Sequence, residues 1–256
     1  MPNQKILYVT TEMYPYQENS NMAAMVNKMA IKMHTEGNDV RVFMPRFGAI
    51  SERKFQLHEV IRLSGMNIII NDLDQPLIIK VASLPGERLQ VYFIDNEEYF
   101  KRKQYYFDED GTAFPDNDER AIFFARGVIE TVKKLNWVPD VIHFNGWMAS
   151  FIPLYLKTFY ENDTYFKDTK LVLSVYNEQN ADLDPTIEEK LKFDNISGLE
   201  ALKQPSFASF VKESMAYVDT VVRGDEFLEP DLDQAYSSSS NAKSEYVDSD
   251  SIGSIY

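Results

Sequence analysis

The sequence predicts an α/β fold, a single doubly wound parallel sheet carrying an antiparallel β insertion. Three observations support it. Short β-branched or aromatic runs recur at residues 6–9, 40–44, 141–144, 170–175 and 220–222, amphipathic helical stretches separate most of them, and a block of β-rich runs without helical period fills residues 55–95. With 256 residues, 44% of them apolar, the chain can bury one domain core and add a tail.

The opening segment KILYVTTEMYPY reads as a buried strand stopped by Pro15. Met22, Met25, Val26, Met29, Ala30 and Met33 then fall on one helical face, a stripe that reads as core. Gly37 ends that helix and Pro45 ends the next strand, giving a strand, helix, strand unit with a right-handed crossover. Runs at 57–63, 67–70, 77–83 and 89–94, broken by turn signals such as Pro85-Gly86, predict the antiparallel insertion at the sheet edge. Asp116 and Glu119 have the spacing of a capping box, and Ile122, Ala125, Ile129 and Val132 extend a helix over 117–135. Beyond Pro139 follow a strand at 141–144, a helix at 147–160, a strand at 170–175, helical segments near 186–193 and 206–217, and a last strand at 220–222. The ordered domain is therefore assigned to residues 1–224. Residues 225–256 hold eight acidic groups against one Lys and a serine run at 237–240, so an acidic, Ser-rich disordered tail is expected there.

A net charge of −14 argues against nucleic acid or an anionic membrane as partner. The absence of cysteine removes disulfides, thiolate nucleophiles and Cys-based zinc sites. No secretory signal opens the chain and no stretch approaches the ~20 apolar residues of a bilayer span, so a cytoplasmic location is expected. Asp95, Asn96 and the run Asp108, Glu109, Asp110 before Gly111 lack the remaining ligands of a calcium loop. Neither a metal nor a cofactor is expected.

Residues 92–157 carry YFIDNEEYF, FPDNDERAIFF and VIHFNGWMASFIPLYLK in that order. Over roughly residues 4–224 the chain resembles the N-terminal domain of the bacterial and plant-type starch and glycogen synthases. The resemblance implies a Rossmann-like sheet forming the N-terminal half of the two-domain GT-B fold, and transfer of glucose from ADP-glucose to an α-1,4-glucan. It also implies an anion site where the first helix begins, built from a Lys, two glycines and the helix dipole. Here the matching run is Glu18, Asn19, Ser20, Asn21 and Met22. An anion in place of that cation, about 4 Å from a phosphate, turns an attraction of about 4 kcal/mol into a comparable repulsion at a dielectric near 20. The family Asp just inside the helix corresponds to Ala24.

Within HFNGWM, Met148 replaces the sugar-contacting His that the resemblance implies, and Tyr176 replaces the His of the family's Ile-His-Asn-Leu motif. Glu12, His143, Asn145, Trp147 and Asn177 keep family identities and are the residual cleft candidates. Three of them also have a structural reading: Glu12 as a loop-capping carboxylate, His143 as a neutral core histidine, Trp147 as a seal between strand and helix. Asp116 reads as a helix N-cap before it reads as a ligand contact. No catalytic residue is assigned. The family's second Rossmann domain has no counterpart in 256 residues, so the expectation is a degenerate, glycosyltransferase-like pseudoenzyme of glycogen biosynthesis, inactive alone. Its implied partners are an α-glucan, ADP-glucose, or a protein supplying a second domain. The alternative is a non-catalytic module that binds glucan or a partner protein.

Overall fold

A computed structural model describes residues 3–18, 20–246 and 255. The first strand, β1 (Lys5–Thr10), is buried from its second residue onward, as a strand covered on both faces should be. Helix α1 (Asn21–Thr35) buries the methionine stripe; the Ser20 hydroxyl caps it by accepting from the Ala23 N–H at 3.0 Å, and Gly37 follows it at φ 94°. Then come β2 (Asp39–Pro45), the short α2 (Glu52–Phe55), β3 (His58–Glu59), β4 (Met66–Ile70), β5 (Leu73–Ser83) and β6 (Gln90–Asp95). A single-turn α3 (Glu97–Phe100) leads to the long α4 (Asn117–Lys134) and to β7 (Val141–Asn145). The chain continues through α5 (Phe151–Lys157), β8 (Lys170–Val175), α6 (Ile187–Phe193), α7 (Phe207–Ser214), β9 (Thr220–Arg223), α8 (Pro230–Ser238) and β10 (Ala242–Ser244).

The strands form one sheet in the order β10-β9-β8-β7-β1-β2-β6-β5-β3, with β4 paired to β5. Pairing is parallel from β10 to β6 and antiparallel from β6 onward through β5. Strand order therefore departs in both directions from β1, which sets a switch point between β1 and β7. Register places Thr10 beside Asn145 and Asn145 beside Ser174, so the ends of β1, β7 and β8 are flush. The loops leaving them gather at one edge. Among the described residues, no helix is long and apolar enough to cross a membrane.

Four details differ from expectation. The 89–94 run joins both parts of the sheet, since as β6 it pairs parallel with β2 and antiparallel with β5, and the 57–63 run is strand only at His58–Glu59. The expected capping box at Asp116 does not form, because the Arg102 guanidinium takes that carboxylate, with one contact at 2.9 Å, while lying 4.4 Å over the Phe114 ring. The helix expected at 147–160 is regular only over Phe151–Lys157. It starts late because Gly146 turns the chain at φ 91°, so close to Thr11 that a Cβ would lie 2.0 Å from its hydroxyl, and residues 147–150 form tight turns.

The fourth difference is the tail. Residues 230–244 form α8 and β10 where disorder was expected. Leu232 and Tyr236 are buried, Arg223 pairs with Asp233 at 2.7 Å and Glu245 at 3.2 Å, and its guanidinium lies 4.7 Å over the Tyr236 ring. Counting charge missed this, since two apolar anchors and one arginine organise several acids. The remainder of the expected tail, 247–254 and 256, lies outside the described residues.

Candidate functional site

At the gathered strand ends lies a cavity of about 470 Å³. Glu12 and the start of α1 (Ser20, Asn21, Met22) form one wall, residues 104–107 a second, residues 176–179 a third, and Asp225 closes the last side. This is where an open α/β sheet binds its ligand, outside the carboxyl ends of the strands at the switch point.

The FPDNDERAIFF motif builds the second wall from behind. Arg120, fully buried, donates from Nη1 to the Tyr105 carbonyl and to Asn117 Oδ1, both at 2.7 Å, and Asn117 Nδ2 donates to the Tyr106 carbonyl at 2.9 Å. The motif thus acts as a bracket that presents Tyr105 and Tyr106 to the cavity. Burial, with a smaller contribution from the Arg102 charge, lowers the Arg120 pKa to about 10, which leaves the guanidinium charged at neutral pH.

Three carboxylates line the cavity, Glu12, Glu178 and Asp225, and no Lys or Arg does among the described residues. Glu12 is fixed through its backbone: the Thr10 hydroxyl donates to its carbonyl at 2.6 Å and accepts from its N–H at 3.1 Å. Burial raises the Glu12 pKa against the opposing effect of the Ser20 hydroxyl. Burial also drives Glu178 well above the usual carboxylate range, reinforced by the charges of Glu12 and Asp225 and opposed by a backbone hydrogen bond from Trp147. Such a wall disfavours a further negative charge.

The structure brings only some of the sequence candidates to this cavity. Glu12, Asn177, Ser20, Asn21 and Tyr176 line it. His143 is fully buried, its Nε2 2.7 Å from the Ser174 hydroxyl, and burial lowers its pKa to about 3, so it is a neutral core histidine. Asn145 is also buried; its Nδ2 donates to the His143 carbonyl at 3.1 Å and its Oδ1 accepts from the Tyr176 hydroxyl at 3.1 Å. Trp147 stacks on Phe207 with centroids 3.8 Å apart and planes 2° from parallel, sealing α7 against the turn after β7. Met148 is fully buried, whereas Ala24 is exposed on α1 away from the cavity wall. Glu18 stands at a neighbouring shallow depression with Lys54 3.9 Å away, and Asn19 lies outside the described residues. The residues that sequence reading missed are Glu178, Asp225, Tyr105 and Tyr106. Glu178 stood beside a motif position already singled out, and the other three carried no periodic signal.

A doubly wound sheet with its crevice at these strand ends is the Rossmann-like lobe of a GT-B glycosyltransferase fold. The starch synthase IV catalytic domain of Arabidopsis thaliana, solved with ADP and acarbose, superposes at a TM-score of 0.72 over 97% of this chain and 53% of its own, with 15% identity. A family profile, the starch synthase catalytic domain, matches residues 5–224. The glycogen synthase of Chlorobium limicola is 41% identical over 176 residues, covering 68% of this chain and 36% of the relative. That of Chlorobium luteolum is 39% identical over 198 residues, covering 77% and 40%. The chain belongs to the starch and glycogen synthase family, and it spans well under half the length of the curated relatives it matches.

Proposed function

We propose that this chain is a degenerate synthase lobe that does not by itself transfer glucose from ADP-glucose to a glucan. The observation that carries the reading is the cavity wall: among the described residues three carboxylates and no Lys or Arg face the space where the resemblance implies a diphosphate. Stabilising a departing diphosphate needs preorganised positive charge or donors, and the cavity supplies opposing charge. The test is glucose incorporation from labelled ADP-glucose into glycogen by the purified chain. The expected result is none, and incorporation by the chain alone overturns the reading. A cytoplasmic setting and a protein partner belong to the same reading. Co-purification with a protein that restores incorporation is the expected sign of the latter.

A second reading is favoured by the other half of the lining. Tyr105, Tyr106, Phe107, Asn177 and Gln179 combine aromatic faces with amides, a set suited to a neutral, hydroxyl-rich ligand. On this reading the lobe is a glucan-binding module. Calorimetric titration with maltooligosaccharides is expected to give weak binding where ADP-glucose gives none, and the reverse pattern sinks it.

A further inference from the structure

Residues 224–229 follow β9 beside the cavity, which Asp225 lines, and are tied to both flanking loops. Asn21, the first residue of α1, donates from Nδ2 to the Gly224 carbonyl at 3.3 Å and to Asp225 Oδ1 at 2.5 Å. The Asn177 N–H donates to Asp225 Oδ2 at 2.7 Å. The Asn177 side chain is occupied on both ends: Nδ2 donates to the Phe227 carbonyl at 2.7 Å and Oδ1 accepts from the Glu229 N–H at 2.8 Å. The segment enters beside the Tyr176 ring, where a Cβ on Gly224 would come within 2.6 Å of a ring carbon. Its largest side chain, Phe227, is 78% exposed.

Each of these facts bears on one question, namely what the donors at the mouth are for. Asn21 Nδ2 and the Asn177 N–H converge on a single carboxylate, one oxygen each, as a pair of donors does around a bound anion. The anion belongs to the chain. The Gly224 N–H is fixed to the Val175 carbonyl at 2.8 Å and Leu228 packs against the core, whereas Asp225 is held through exposed hydrogen bonds and Phe227 stays in water, so release is easiest at residues 225–227. Glu12 and Glu178 line the same cavity and add no cation that would compete for the Asp225 carboxylate.

We propose that residues 224–229 are an autoinhibitory strap: Asp225 fills an anion site formed by Asn21 and Asn177, and a phosphate-bearing ligand gains those donors only when the strap lifts. The inference rests on the preceding reading only for the choice of probe. It is tested on the full chain with Asp225→Ala and with Asp225→Asn, which keeps the side-chain size and loses the charge. Deuterium exchange at Asn177 is expected to quicken at least tenfold in Asp225→Ala, with β8 and β9 unchanged; equal exchange overturns the strap. In calorimetry with inorganic pyrophosphate and separately with ADP, both variants are expected to bind at least tenfold more tightly than the wild type. Equal affinity in all three proteins, including no heat in any, overturns the occupancy of the site by Asp225. A tenfold gain for ADP with none for pyrophosphate also overturns it, because the anion is the group displaced. Glucose transfer by the wild-type chain would sink the preceding reading and leave the exchange and affinity ratios to decide the strap separately.

Discussion

Acids sit in two kinds of place among the described residues, and the two are treated oppositely. Outside the cavity lining, Asp118 pairs with Lys190 at 2.7 Å, with Glu119 at 2.9 Å from the same amine, and Asp194 pairs with Arg126 at 3.0 Å while accepting from the Tyr155 hydroxyl at 2.7 Å. Asp95 likewise holds Arg46 at 3.0 Å and Lys80 at 2.9 Å. At the cavity mouth, Glu12, Glu178 and Asp225 face one another with no cation in the lining. The three buried aspartates, Asp95, Asp118 and Asp194, each have a cation partner. The acids of the cavity lining have none among the described residues, a departure from local stability of the kind that marks candidate functional sites.

The sharpest way to break this comparison is to remove a cation from the matched set. Lys190 is buried beside Asp118; desolvation pulls its pKa down, but hydrogen bonds to Asp118 and Glu119 raise it overall. Lys190→Met leaves Asp118 buried without compensation and should cost about 3–5 kcal/mol in urea unfolding. A cost near zero would mean that the acids outside the cavity lining are as unmatched as those within it.

Next in size is acid sensitivity from His143. Its folded pKa is lowered to about 3 against about 6.5 in the unfolded chain. The unfolded state therefore binds the extra proton first, and stability is lost as pH falls from about 6.5 toward 3, by about 1.4 kcal/mol per unit from this group. Glu12 and Glu178 act with the opposite sign: their raised pKa values favour the folded state when protonated, so the stability they contribute is present at low pH and lost as pH rises above the usual carboxylate range. Melting curves of a Glu12→Gln, Glu178→Gln double variant should show the His143 trend unmasked.

Glu178→Gln alone should stabilise the chain at neutral pH by about 0.5–2 kcal/mol, as relief of a strained site commonly does. A loss of stability would reveal a partner for Glu178 and erase the contrast between the two regions. The smallest effect belongs to Glu18→Lys. Its side chain is 58% exposed and already near Lys54, so water screens it, and the gain in ADP affinity should be about fivefold at most by calorimetry.

The central strands were readable because each is a short apolar run, and the burial of β1, β7 and β8 follows from that alone, whereas β10, the run Ala-Lys-Ser, carried no such signal. Pairing partners were not, since a run of alternating β residues carries no record of whether its neighbour is parallel, which is why β6 moved into the parallel sheet. At the site, Glu12 and Asn177 were legible from the family motifs they match, Glu12 also from its place just beyond a strand end. His143 and Asn145 share one face of a central strand, and both faces of that strand are covered, so nearness to its end did not bring them to the cavity. Asp225 was hidden for a topological reason: its bond to Asn177 spans 48 positions, and its own surroundings in sequence read only as acidic.

Met148 limits what the turn after β7 can become. Its thioether sits fully buried within the main apolar cluster, so a histidine placed there would meet hydrocarbon, at about 1–3 kcal/mol for the stranded imidazole. A single exchange to a polar side chain at this position therefore weakens the interior before it can offer anything to a ligand.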